Sequence, residues 1–140
     1  TELLKYGIRN SRILAIAPTA TSGKCINATE GVDAPRKLKT IVEGTYSLPF
    51  MVPKVRELRE HYETMFNISN KDVIELAAIR QKFLCMSQSL SLAYESSKSA
   101  FEFVSNVIKA EELGLKTLYY TYTRKAEETI EEEGCDSCGS

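Results

Sequence analysis

Tryptophan is absent from this 140-residue chain, and histidine occurs once, as His61. A single imidazole, with no Ser-His-Asp arrangement in view, gives hydrolase triads little support. Long apolar runs are missing too. The longest, Ile13 to Ala17, has five residues, far short of a membrane-spanning helix. No basic run of five or more residues occurs, so the footprint of a nucleic-acid binder is lacking. The N-terminal stretch does not have the basic, apolar and small-residue order of a signal peptide. Secretion and membrane insertion are therefore set aside, and a cytoplasmic location is expected. The chain starts at Thr1 rather than Met, from which we expect a piece cut from something longer.

What is present is ordinary for a globular domain. Hydrophobic residues make up 43% and charged residues 26%, enough to bury a core in a single domain of this length. The net charge of −1 hides an asymmetry. Five glutamates (Glu127, Glu128, Glu131, Glu132, Glu133) and Asp136 crowd the last fourteen residues. Residues 1–125 hold 18 basic and 13 acidic side chains, so the body carries about +5. Such a body suits a phosphorylated small substrate or an acidic partner. Four cysteines without a secretion signal point to free thiols, metal or redox work rather than a disulfide scaffold.

The patterning predicts alternating strands and helices, hence an α/β fold with parallel strands. Residues 2–9 read as a helix end stopped near Gly7, and Arg12–Ala17 as a short buried strand closed by Pro18. A Ser/Thr/Gly loop, Thr19–Gly23, then leads to a helical turn reaching Gly31. Thr40–Val52 reads as a hairpin broken at Gly44. Pro53 suits the first position of a helix over 53–66, with Val55, Leu58, Tyr62 and Phe66 facing the core. Ser69 and Asp72 have capping-box spacing and open a helix to about residue 84, supported by Val73, Leu76, Ala77, Ile79 and Phe83. Ser87–Tyr94 reads as a strand, and Ser96 or Ser97 as the cap of a helix through Leu113 with Gly114 after it. Leu115–Tyr122 has the strongest strand propensity, and residues 124–140 read as a mobile acidic tail.

Three places carry chemistry, each with a plain structural alternative. Pro18, Thr19, Ala20, Thr21 and Ser22 lie between a strand and a helix start. There backbone N–H groups and hydroxyls suit a phosphate, or simply a capped helix. The Gly-x4-Gly-Lys order of a Walker loop is absent. Cys135 and Cys138 form a CxxC near the chain end, which suits dithiol exchange or half of a zinc site. The surrounding acids oppose the thiol acidification usual in such motifs. Tyr119 and Tyr120 are neighbours on a strand, where regular pleating would point them apart. A joint role as electron and proton relay requires the strand to depart from that pleat. Cys25 and Cys85 read as small buried residues, and His61 as a surface residue on a charged helix.

Taken in order, these segments resemble a known family. Tyr6–Ser11, Ala17–Ser22, Asn27–Gly31 with Pro35-Arg36, Gln81–Phe83 with Ser87, Ser89 and Tyr94, Lys116–Tyr120 and a terminal dicysteine resemble the C-terminal portion of class I ribonucleotide reductase large subunits. The resemblance covers nearly the whole chain, and Lys116–Tyr120 is its most specific stretch. It implies the C-terminal part of a ten-stranded α/β barrel over residues 1–123, followed by a redox tail over 124–140. The implied activity is reduction of ribonucleoside diphosphates to deoxyribonucleoside diphosphates by radical chemistry, the supply step for DNA replication.

The implied roles follow by position. Pro18, Thr19, Ala20, Thr21 and Ser22 match the loop that holds the substrate diphosphate. Tyr119 and Tyr120 match stacked tyrosines that carry the radical toward an active-site cysteine. Cys135 and Cys138 match the tail pair that re-reduces the active-site disulfide. Ala20 departs from members with Glu there, which leaves only backbone contact; the CxxC is shorter than in some relatives, and Cys85 departs with no role assigned. The radical-bearing cysteine, the disulfide-forming pair and the allosteric sites precede the matched region, so the chain is expected to be inactive by itself. Implied partners are the N-terminal part of a homodimeric large subunit, a small subunit bearing a metal–radical cofactor, and thioredoxin or glutaredoxin. This portion is expected to bind no cofactor, and the nucleotide effectors bind elsewhere. A stand-alone binding module with a zinc-binding or redox CxxC is the alternative.

Overall fold

The structure, a computed structural model, describes residues 2–42, 48–97 and 100–125. The C-terminal half contains a strand–helix–strand unit. Strand β3 (Ser91–Glu95) runs parallel to β4 (Tyr120–Arg124), pairing Ser91 with Tyr120 and Glu95 with Arg124, and helix α5 (Ala100–Glu112) connects them. Parallel neighbours need such a crossover because the chain must return to the same end of the sheet. Helix α4 (Asn70–Gln81) packs beside α5, and their surface ends are joined by Lys109 and Glu75. Ile74, Leu92, Tyr94 and Ala110 form the core between sheet and helices, with Val73, Leu115 and Leu118 against it.

Local chemistry explains the ends of these helices. The Ser69 hydroxyl caps α4 by accepting the Lys71 N–H at 3.3 Å. Helix α5 ends in a Schellman turn. Gly114 sits at φ +78°, its N–H reaches Glu111 O, and the Leu115 N–H reaches Ala110 O. Buried Asn70 then ties α4 to the sheet, donating to Ala93 O at 2.8 Å and accepting Ala93 N–H at 3.1 Å.

The N-terminal half is built from smaller pieces: α1 (Glu2–Tyr6), α2 (Ala20–Cys25), an antiparallel pair β1 (Lys39–Val42) and β2 (Leu48–Met51), and α3 (Val55–Leu58). The hairpin over 40–52 is therefore present, although its break at Gly44 falls outside the described residues. The expected buried strand over Arg12–Ala17 is reduced to one parallel bridge, Ile16 with Gln88, and Ile13 and Leu14 are exposed. Parallel pairing survives in that bridge.

Other expectations shift. The helix over 53–66 shrinks to α3 and one 3-10 turn at Arg59–His61, because Lys54 turns left-handed at φ 54° and breaks the entry from Pro53. Leu58 lies exposed, and Tyr62 bonds back to Pro53 O at 2.6 Å. On α4 the buried face is Ile74, Ala77, Ala78 and Gln81, while Leu76 and Ile79 on the helix and Phe83 just beyond it face outward. Apolar residues on both faces made the period ambiguous. The strand expected over 87–94 starts at Ser91, and that over 115–122 starts only at Tyr120, since Leu115 and Leu118, partly buried, pack against the core ahead of it.

Candidate functional site

Segment 13–16 reaches the loop by running beside residues 85–89. Met86 N–H donates to Leu14 O at 3.0 Å, and Ser89 N–H to Ile16 O at 2.7 Å. Pro18 then ends the extended stretch, and the helix starts at Ala20, earlier than the residue types suggested. Ala20, Thr21 and Ser22 are thus the first turn of α2, preceded by Pro18 and Thr19. The Thr19 side chain makes no capping hydrogen bond, so the first-turn N–H groups are not taken up by it. All five of these residues are exposed.

The loop closes on itself by backbone contacts. Thr19 N–H donates to Glu30 O at 3.1 Å, Ala28 N–H to Gly23 O at 2.9 Å, and Lys24 pairs with Glu30 at 2.8 Å. Gly23 is buried where a Cβ would stand 2.6 Å from the Thr29 carbonyl oxygen, so the close approach demands glycine. Asn27 makes the return turn at φ 53°.

Tyr119 and Tyr120 lie where β4 begins. Both their N–H groups point at Leu90 O, at 3.3 and 3.0 Å. Two consecutive N–H groups sharing one acceptor break the alternation of a regular strand. The rings consequently meet edge-to-face, 4.5 Å between centroids at 88°. Tyr122, two residues on and so on the same face as Tyr120, stacks on it at 5.9 Å and 28°. The Arg36 guanidinium covers the other end of this row, 4.8 Å from the Tyr122 ring. Loss of solvent, followed by the neighbouring Tyr119, pushes the Tyr120 phenol above its ordinary pKa.

Pro18 and Ala20 of the loop and Tyr120 and Tyr122 of the strand border one cavity of about 290 Å³, with Lys24 and Arg36 also on its walls. Another cleft, of about 360 Å³ at the start of α4, touches neither the loop nor the tyrosines.

Cys135 and Cys138 lie outside the described residues. Cys25, expected buried, is exposed at the end of α2. Cys85 is half-buried, not enclosed in apolar side chains, and its sulfur accepts N–H groups from Ile13 and Leu14. Those two donors pull the thiol below its ordinary pKa. His61 is exposed, as expected. Among the described residues no group of three or more His, Cys, Asp or Glu is arranged to hold a metal ion. Nor, among them, is any helix long and apolar enough to cross a membrane.

Sequence reasoning gave no functional role to Tyr122 or Arg36 and did not foresee the sulfur contacts of Cys85. The spacing of two from Tyr120 was a usable signal for Tyr122. Nothing in the sequence joins Arg36 to residue 122, or Cys85 to residues 13 and 14.

Comparison with known proteins follows the same outline. Residues 39–121 match the family described as "Ribonucleotide reductase, barrel domain". The chain is 34% identical to the ribonucleoside-diphosphate reductase subunit alpha of Buchnera aphidicola (subspecies Schizaphis graminum), over 97% of this chain and 20% of that protein. It is 31% identical to the ribonucleoside-diphosphate reductase 1 subunit alpha of Escherichia coli K12, over 94% of this chain and 19% of that protein. Among solved structures, the Actinobacillus ureae class Id ribonucleotide reductase alpha subunit superposes with a TM-score of 0.66 at 25% identity, over 87% of this chain and 28% of that one. The chain thus spans about a fifth of the length of the relatives it matches.

Proposed function

This chain belongs to the ribonucleotide reductase large-subunit family, as a C-terminal portion carrying part of its α/β barrel, and from that premise we propose that it supplies three parts of a ribonucleoside-diphosphate reductase. The first is a cradle for the substrate diphosphate at Pro18, Thr19, Ala20, Thr21 and Ser22. The N–H groups of the first turn of α2 and the hydroxyls of Thr19, Thr21 and Ser22 meet the phosphate oxygens, and the positive end of the turn favours their charge. Lys24, on the wall of the adjoining cavity, is paired there with Glu30.

The second part is the tyrosine pair. When Tyr119 or Tyr120 is oxidised it loses one electron and its phenolic proton. It recovers both from the next group in the chain, so the oxidising equivalent moves while each tyrosine ends unchanged. Edge-to-face contact at 4.5 Å suits such a transfer. In this reading the oxidising equivalent originates at the small subunit's metal–radical cofactor and ends at a cysteine in the remainder of the large subunit. The third part is the Cys135–Cys138 dithiol. A thiolate of this pair attacks the active-site disulfide, the mixed disulfide resolves, and two electrons pass inward. The resulting Cys135–Cys138 disulfide is then reduced by thioredoxin or glutaredoxin.

One observation carries the reading: the loop and Tyr120 border the same cavity. A diphosphate held at one wall is then within reach of chemistry initiated at the other. The test is reconstitution. The chain, combined with the remainder of the large subunit, the small subunit and a dithiol reductant, converts ribonucleoside diphosphate to the deoxy product. Omitting the chain abolishes conversion, and conversion undiminished without it would refute the reading.

A further inference from the structure

The entry into the loop is held by an unusual acceptor. In a parallel pair alternate residues direct their N–H at a carbonyl of the neighbouring strand. Beside Ile13 and Leu14 the neighbouring chain is still turning out of α4, with Phe83 N–H on Arg80 O and Leu84 N–H on Gln81 O. Its carbonyls at this level, Leu84 O and Cys85 O, receive the Lys116 ammonium at 3.3 and 2.8 Å. The Cys85 sulfur takes their place, accepting Ile13 N–H at 3.1 Å and Leu14 N–H at 3.0 Å. As a thiol it also stands 3.4 Å from Leu14 O, where it returns a weak S–H bond.

The turn carrying Cys85 is itself fastened to α4. Gln81 Nε2 donates to Met86 O at 2.9 Å, Gln88 Nε2 to Ala77 O at 2.8 Å, and Arg80 Nε to Gln88 Oε1 at 3.1 Å. The sulfur therefore sits on a firm base and grips a segment that is otherwise exposed. Pro18 lies only four positions after Leu14. That stretch spans about 13 Å and is held as well at Leu14 O by Met86 N–H and at Ile16 O by Ser89 N–H, so the sulfur acts on the loop together with these two bonds.

We propose that Cys85 is a positioning residue for the substrate loop: its sulfur, by holding the backbone N–H groups of Ile13 and Leu14, sets where Pro18–Ser22 presents its donors to a nucleoside diphosphate. This rests on the loop being the diphosphate cradle, as proposed above. Donors aimed at phosphate oxygens tolerate little misplacement, so loosening the anchor weakens ground-state binding more than it slows the chemistry.

The test uses the reconstituted large subunit with Cys85→Ala, Cys85→Ser and Cys85→Asp. The alanine variant loses the acceptor, and KM for the diphosphate rises about tenfold, the scale of one such hydrogen bond, while kcat stays within about twofold. Aspartate, whose carboxylate accepts both N–H groups, brings KM back to within about threefold of the parent, and serine recovers part of the loss. Amide hydrogen exchange supplies a second readout that needs no nucleotide: protection at Ile13 and Leu14 falls in Cys85→Ala and is retained in Cys85→Asp. An unchanged KM in the alanine variant, equal loss of kcat without rescue by aspartate, or unaltered amide protection would each overturn the proposal. If the parent enzyme shows no saturation by diphosphate at all, the assignment of the loop fails. The exchange result then still decides whether the sulfur anchors the segment.

Discussion

Gly23 shows how one residue constrains the loop. Its missing side chain lets the Thr29 carbonyl approach so closely that a Cβ would stand 2.6 Å away, against backbone that has no rotamer to change. Gly23→Ala therefore pushes the return turn off α2. It should cost about 1–3 kcal/mol, the usual scale of overpacking, and raise the KM for a diphosphate; thermal melting and steady-state kinetics check both. At Tyr119 the ring and the hydroxyl have separable roles. Phenylalanine keeps the edge-to-face contact with Tyr120 but cannot give up a proton. Tyr119→Phe should therefore fold normally and lower turnover by roughly 10²-fold or more, as loss of a positioned proton donor does. Turnover at the parental rate would remove Tyr119 from the relay.

At the scale of elements, the β3–α5–β4 unit depends on a polar contact inside its core. Asn106, nearly fully buried, donates to the Tyr94 hydroxyl at 3.1 Å, and the Tyr94 ring packs on Phe103 at 5.6 Å. Burial first, and Glu102 secondarily, push the Tyr94 phenol above its ordinary pKa, partly countered by the Asn106 bond. The folded chain thus holds this proton more tightly than the unfolded one. Its contribution to stability is complete below pH about 10 and is lost as pH rises through the raised folded value. Urea melts between pH 9 and 11 should show the parent losing stability more steeply than Tyr94→Phe. Near neutral pH the variant should be about 1–2 kcal/mol weaker, because Asn106 is left without its partner. The same unit explains why the tyrosines meet. Leu115 and Leu118 pack, partly buried, against the core ahead of the pairing, and the strand begins at Tyr120 with two N–H groups converging on Leu90 O.

Over the whole molecule, the described residues bury little. Their apolar core is nine side chains centred on Ile74, Leu90 and Leu92, while Ile13, Leu14, Leu76, Phe83 and Phe101 stay exposed. Apolar surface on this scale marks contact regions. In the proposed assembly it meets the remainder of the large subunit, in keeping with a chain about a fifth as long as its relatives. The tail dithiol makes its prediction at this scale, since it acts between catalytic cycles. With Cys135→Ser the assembled enzyme should complete a single turnover on its pre-reduced thiols and then stop. Rapid-quench product counting would show about one equivalent per site. Sustained turnover on thioredoxin would exclude the dithiol from re-reduction.

Much of this protein is written in local patterns. Ser69 before α4, Gly114 after α5 and the β-branched stretch around 40–52 act through neighbours in the chain, so their capping, turning and pairing tendencies were legible residue by residue. The order of motifs from Ala17 to Tyr120 likewise identified the family. What the residue order left open was every choice that depends on a distant partner. Which face of α4 turns inward was decided by the sheet it covers, since both faces are apolar. The strand at 12–17 became a single bridge, and Cys85 became an acceptor, because segments some seventy residues apart meet there. The tyrosine rings touch because core burial upstream overrode strand propensity, and hydrophobic burial at Leu115 and Leu118 outweighs the preference of a few residues for regular pleating.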